Sequence, residues 1–104
     1  MINIRETIQS GNANTSSQAA LLLREMRYSK TKSIVLDFDG LESCNNTFVD
    51  KSIGVYLMQE NRKEVRFLNV ATVWQSKIDR AIEFATDKKL RDLHNGLLER
   101  LINE

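Results

Sequence analysis

The order of apolar patterns along the chain predicts an α/β fold: a small sandwich in which a mostly parallel or mixed sheet is packed by helices. Three observations carry this. Ile34 to Phe38 is a short apolar run broken only by Asp37, the pattern of a central strand covered on both faces. The segments flanking it switch to the three- and four-residue apolar spacing of amphipathic helices. The connections between strand-like runs are helix-sized, which favours parallel pairing because a parallel return needs a long crossover.

Taken in order, Met1 to Ile8 places Ile2, Ile4 and Ile8 among polar residues and is expected to form a short first strand. Gly11 to Asn14 reads as a turn, and a further strand has room to hide between Thr7 and Asn14. Thr15, Ser16 and Ser17 are candidate caps for a helix through about Tyr28, with Ala19, Leu22, Leu23 and Met26 as its buried stripe. Ser29 to Lys32 leads into the strand at Ile34. A second helix is expected over 45–60, where Phe48, Val49, Ser52, Ile53, Tyr56 and Leu57 share one side and Asn45, Asn46 or Thr47 supplies the first-turn acceptor. Val65 to Leu68 is a third strand. Thr72 is a candidate cap for a helix that turns Ile78, Ala81, Ile82 and Ala85 inward. Asp87 is a candidate cap for a last amphipathic helix over 87–104, used for packing or association, with Leu90, Leu93, Leu97, Leu98 and Leu101 on its apolar face. The pattern leaves open whether 78–104 is one bent helix or two.

With 104 residues the chain is sized for one domain, 1–104, with a modest core. Fifteen Lys and Arg against fourteen Asp and Glu leave a formal charge of +1, which gives no support to a nucleic-acid partner. Arg24, Arg27, Lys30 and Lys32 form a local basic stretch with no interleaved aromatics and read as a solvated helix end. Cys44 is the single cysteine, so no internal disulfide forms. No apolar run approaches the roughly 20 residues that cross a bilayer, and the N-terminus has no signal-peptide pattern. The 87–104 segment mixes Lys88, Lys89, Arg91 and Arg100 with Asp92, Glu99 and Glu104, unlike a basic membrane-binding face. The expected setting is a reducing cytoplasm, with no membrane partner.

Leu36-Asp37-Phe38-Asp39-Gly40-Leu41 admits two chemistries. It resembles the first motif of haloacid-dehalogenase-type phosphatases, which implies Asp37 as nucleophile, Asp39 as acid and base, and a magnesium ion between them. That pattern departs from the family at Leu41, where threonine is usual. A strand and helix also precede the motif, and none of Lys51, Lys63 and Lys77 sits in the expected downstream arrangement.

The second reading rests on Ile34-Val35-Leu36-Asp37-Phe38-Asp39-Gly40-Leu41-Glu42-Ser43, then Asn46-Thr47-Phe48-Val49-Asp50, then Arg66-Phe67-Leu68-Asn69-Val70. This combination, over roughly Ile2 to Ala85, resembles the STAS-like domain family, a domain of unknown function related to bacterial anti-sigma-factor antagonists. The resemblance implies a regulatory protein–protein interaction module in signal transduction, without catalysis or cofactor, whose partner is a histidine-kinase-type ATPase-domain protein. Asn46 falls where those antagonists carry a phosphorylated serine, and Asn45 where aspartate is common, so the usual phosphoswitch is expected to be missing. Thr47 takes the next hydroxyl position and is the one candidate phosphoacceptor, against a plain capping role. Asn45, Asn46, Thr47, Asp50 and Lys51 are the candidate partner contacts. Asp37 and Asp39 are then structural acceptors at the strand end, since buried carboxylates without partners are costly.

Other residues take ordinary readings. Cys44 reads as a buried or loop thiol, and His94 as a packing residue with no cysteine–histidine spacing for zinc. The four glycines show no phosphate-loop spacing. Trp74, Phe84 and Tyr56 read as core or interface packing. A third functional reading is a structural subunit, or a homodimer, assembled through the leucine-bearing C-terminal helix.

Overall fold

In a computed structural model of the protein, the backbone of residues 1–103 and the side chains of residues 1–88 are described. The strands are β1 (Ile2–Asn3), β2 (Asn12–Ala13), β3 (Ser33–Asp37), β4 (Ser43–Cys44) and β5 (Glu64–Leu68). The helices are α1 (Ile4–Ile8), α2 (Ser16–Arg27), α3 (Asn46–Val49), α4 (Val55–Leu57) and α5 (Thr72–Asn103), with a π-helical turn at Asp50–Gly54 joining α3 to α4. β1, β3 and β5 form one parallel sheet with β3 in the middle, and β2 pairs with β4 in a second, two-stranded parallel sheet. The α/β expectation and the central place of the Ile34 strand hold.

The two faces of the main sheet differ. Ile34 and Leu36 are buried beneath the helices, and the register sets Val65 and Phe67 beside them. The opposite face carries half-buried Ser33, Val35 and Asp37 next to exposed Glu64, Arg66 and Leu68. β3 is therefore covered on one side, not on both, and the alternation imposed by Ser33 and Asp37 is the reason.

Several expectations need correction. The first strand stops at Asn3, because Asn3 caps α1 by accepting a hydrogen bond from the Glu6 backbone N–H at 3.0 Å. Ile4 and Ile8 are both buried as an i, i+4 helical pair, a spacing that also satisfies strand alternation. The strand sought between Thr7 and Asn14 exists as β2. The helix expected over 45–60 ends at Leu57 and is interrupted by the π turn. The hydroxyl of buried Ser52 donates to the Phe48 carbonyl at 2.6 Å, a contact that competes for the helix ladder and often bends it. α5 begins with Thr72 as its first helical residue, so Thr72 is not its cap, and it runs unbroken through Asp87, which caps nothing. Ile82 is exposed instead of inward, and Phe84, read as core or interface packing, is exposed and so outside the core. His94 and the leucines from Leu90 onward lie outside the described side chains.

α2 forms as read. Thr15 caps it: the Thr15 hydroxyl accepts from the Gln18 N–H at 3.1 Å, and the Gln18 side-chain carbonyl accepts from the Thr15 N–H at 3.0 Å. This reciprocal box satisfies two of the helix's unpaired donors. Its face of Ala19, Leu22 and Met26 packs into a core that includes Ile34, Leu36, Phe38, Phe48, Ile53 and Ile78. Phe38 also meets the rings of Phe67 and Trp74, with centroids 6.4 and 6.3 Å away. Tyr56 is buried as expected, and its hydroxyl accepts from the Lys63 N–H at 3.0 Å.

Candidate functional site

β3 ends in a turn that its own side chain starts. The Asp37 carboxylate accepts from the Asp39 backbone N–H at 3.0 Å, which bends the chain two residues on. The Leu41 N–H then donates to the Phe38 carbonyl at 3.2 Å, with Gly40 at φ 86° in the third place of the turn. That geometry is a type II turn and calls for glycine there. Beyond it, Glu42 and Ser43 donate backbone hydrogen bonds to the Gly11 carbonyl, which leads the chain into β4.

Asp37 also ties the strand ends together. Asn69, just past β5 and itself at φ 57°, donates its side-chain amide to Asp37 at 2.8 Å. Asn3, at the end of β1, donates to the other Asp37 oxygen at 3.5 Å and to the Asp39 carbonyl at 3.4 Å. The Asn69 amide, then the Asp39 N–H, favour the ionised form and, with a weaker contribution from Asn3, hold the Asp37 carboxyl below its ordinary value against the opposing effect of burial. The expectation of an architectural acceptor is met for Asp37. Asp39 differs: it takes part through its backbone, while its exposed carboxylate makes no hydrogen bond or ion pair among the described residues. The lysines bond elsewhere: Lys51 to the Ser16 hydroxyl at 3.0 Å, Lys63 to the Ser29 carbonyl, and Lys77 to the Cys44 carbonyl at 2.7 Å.

The second cluster is the start of α3. Asn45 caps that helix by accepting from the Phe48 N–H at 2.9 Å, while its amide donates to the Asn14 carbonyl at 3.0 Å. Of the five candidate contact residues, Asn45 is thus engaged on both ends of its side chain. Asn46 and Thr47 are exposed at the first two helical positions, and Lys51 lies across the gap to the start of α2. Asp50 points the other way, where the Arg80 guanidinium holds both its oxygens at 3.1 and 3.0 Å. Of the five residues, Asp50 is tied to α5, Asn45 and Lys51 reach toward the start of α2, and Asn46 and Thr47 are exposed. Arg80 was not singled out from sequence, since an exposed helical arginine gives no local sign of a partner 30 residues away. Asn69 belongs to the 66–70 segment, whose local sequence gives no sign of the link to Asp37.

Residues 18–72, just over half of the chain, match the STAS-like domain of unknown function (DUF4325). The chain belongs to this STAS-like family. The match runs from the capping glutamine of α2 through the acidic turn, the α3 start and β5 to the first residue of α5, narrower at both ends than Ile2 to Ala85. It includes Asp37, Asn69 and all five candidate contacts of the STAS-like domain, and leaves Asn3 and Arg80 outside. No curated protein and no solved structure matches the chain.

Cys44 is buried, and burial pushes its thiol up to about 11 despite the opposing Lys77 ammonium, so it is a poor nucleophile. Among the described residues, no group of three or more His, Cys, Asp or Glu side chains is placed to hold a metal ion. No described helix is long and apolar enough to cross a membrane.

Proposed function

We propose that this STAS-like domain is a non-enzymatic regulatory module that binds another protein through the exposed start of α3, centred on Asn46, Thr47 and Lys51. The observation that supports this is a division of labour. Asp37, the residue a phosphatase would use as nucleophile, has its oxygens turned to Asn69, Asn3 and the turn, whereas Asn46 and Thr47 meet solvent at a positive helix end. Such an end suits an acidic partner surface. By analogy with anti-sigma-factor antagonists, the partner is a bacterial cytoplasmic protein with a histidine-kinase-type ATPase domain. Asn46 removes the usual phosphoserine, and Thr47 is the hydroxyl left for a kinase to modify.

The test is affinity capture with the intact chain, comparing wild type with Asn46→Glu and Lys51→Glu. Both variants are expected to lose a specific partner while keeping the wild-type melting curve. Asn45→Ala serves as a contrast, because losing its cap costs stability, about 0.5–2 kcal/mol. Equal recovery of every partner by wild type and both variants would overturn the contact face. Magnesium-dependent phosphate-ester hydrolysis that disappears in Asp37→Asn would overturn the non-enzymatic reading.

A further inference from the structure

We propose that a second copy of this chain docks on the outer face of α5, with the Phe84 ring of each protomer seated in a groove of the other. The groove has a volume of about 360 Å³ and is lined by Asp50, Gly54, Met58, Arg80, Ala81 and Phe84. Its inner wall is made of small residues: Ala81 and Gly54 are both buried. Gly54 lines the groove, and a Cβ added there would meet the Val49 carbonyl at an ordinary 3.6 Å. The volume exceeds what one aromatic side chain fills.

The knob stands beside the hole. Phe84 is 58 % exposed although Ala81, three residues before it, and Ala85, directly after it, are buried on the inner face. Val73 is 73 % exposed, and the spacing Val73, Arg80, Phe84, Asp87 puts all four on one outer stripe of the helix. An aromatic side chain next to a groove on the same surface is the arrangement that a two-fold, isologous contact uses, since each copy supplies both parts.

Charge selects a second copy over an unrelated apolar partner. Arg80 lies four residues before Phe84 and Asp87 three residues after it, both exposed. When two α5 helices cross antiparallel at Phe84, Arg80 of each copy comes beside Asp87 of the other. One Arg80 nitrogen holds Asp50, and a guanidinium has five N–H donors, so it bridges both carboxylates. The contact then has an aromatic centre with charged residues at its rim, the usual distribution of interface energy.

This inference is independent of the α3 recognition face, and its readout is oligomeric state, not partner capture. Sedimentation of the intact chain over a concentration series is expected to show a reversible monomer–dimer equilibrium. Phe84→Asp should weaken it at least about tenfold, as loss of an interface anchor does, with an unchanged circular-dichroism spectrum and melting curve. Gly54→Leu, which fills the groove from its wall, should weaken it as well, and Asp87→Lys should do so more strongly at low salt. A wild-type chain that stays monomeric up to about 1 mM overturns the proposal. So does a dimer whose dissociation constant is unmoved by Phe84→Asp.

Discussion

Replacing Gly40 with alanine tests the turn that closes the acidic strand. At φ 86°, a residue with a Cβ sits in the left-handed half of backbone space, at a cost of about 1–2 kcal/mol. The new Cβ would also lie 2.7 Å from the Arg5 Cδ. Arg5 is exposed, so its side chain swings aside and the overlap adds little. The expected loss is therefore about 1–2 kcal/mol, most of it backbone strain. Gly54 provides the control. It has φ −59° and ψ −45° within the helical segment, and its added Cβ makes only an ordinary contact. Gly54→Ala is expected to stabilise by about 0.5–1 kcal/mol, because alanine loses less backbone freedom on folding. Urea unfolding followed by the fluorescence of Trp74, the single tryptophan, reads both, since that ring is buried against Phe38. Opposite shifts in midpoint at constant slope are the expected result. A neutral or stabilising Gly40→Ala would refute the positive-φ turn and, with it, the path into β4.

Asn69→Gly keeps the left-handed backbone at that position but removes the amide that most favours ionised Asp37. A carbon-13 NMR titration should then place the Asp37 carboxyl closer to its ordinary 3.8 than in the wild type. The linkage sign follows. With its folded-state pKa depressed, Asp37 favours the fold above pH 3.8, and that contribution disappears as pH falls through the lowered value. Asn69→Gly should lessen this acid-side dependence, and an unchanged titration would mean the hydrogen bond is not made. Cys44, buried and with its thiol pushed up to about 11, should react slowly with a thiol reagent at pH 8 in native buffer and rapidly in urea. Fast labelling of the folded chain would contradict its burial.

What was legible in the sequence was local. Thr15 with Gln18 and Asn45 before Phe48 are short-range caps, and each side chain needs only a neighbour three residues away. The Ile34 strand was likewise visible in one run of residues. Ile2, Ile4 and Ile8 were ambiguous because their spacing fits both periods, and the capping of Asn3 resolved it in favour of a helix. The π turn was not legible, since an amphipathic pattern gives no sign of the Ser52 hydroxyl taking the Phe48 carbonyl within the helix. Ile82 and Phe84 fit an amphipathic pattern, yet α5 rests on the narrower face of Trp74, Ile78, Ala81 and Ala85. The architectural role of Asp37 could be argued from desolvation alone, but its partners could not. Asn3 and Asn69 lie 34 and 32 residues away, and only strand register brings them near.

That distance has a consequence for folding. The side chains of Asn3, Asp37 and Asn69 meet only when β1, β3 and β5 are aligned as Asn3 with Asp37 and Asp37 with Leu68. A slip of β3 by one residue would turn Asp37 to the apolar side and strand its charge there, away from both amides. The trio thus penalises every misaligned pairing of a sheet whose first strand is only two residues long.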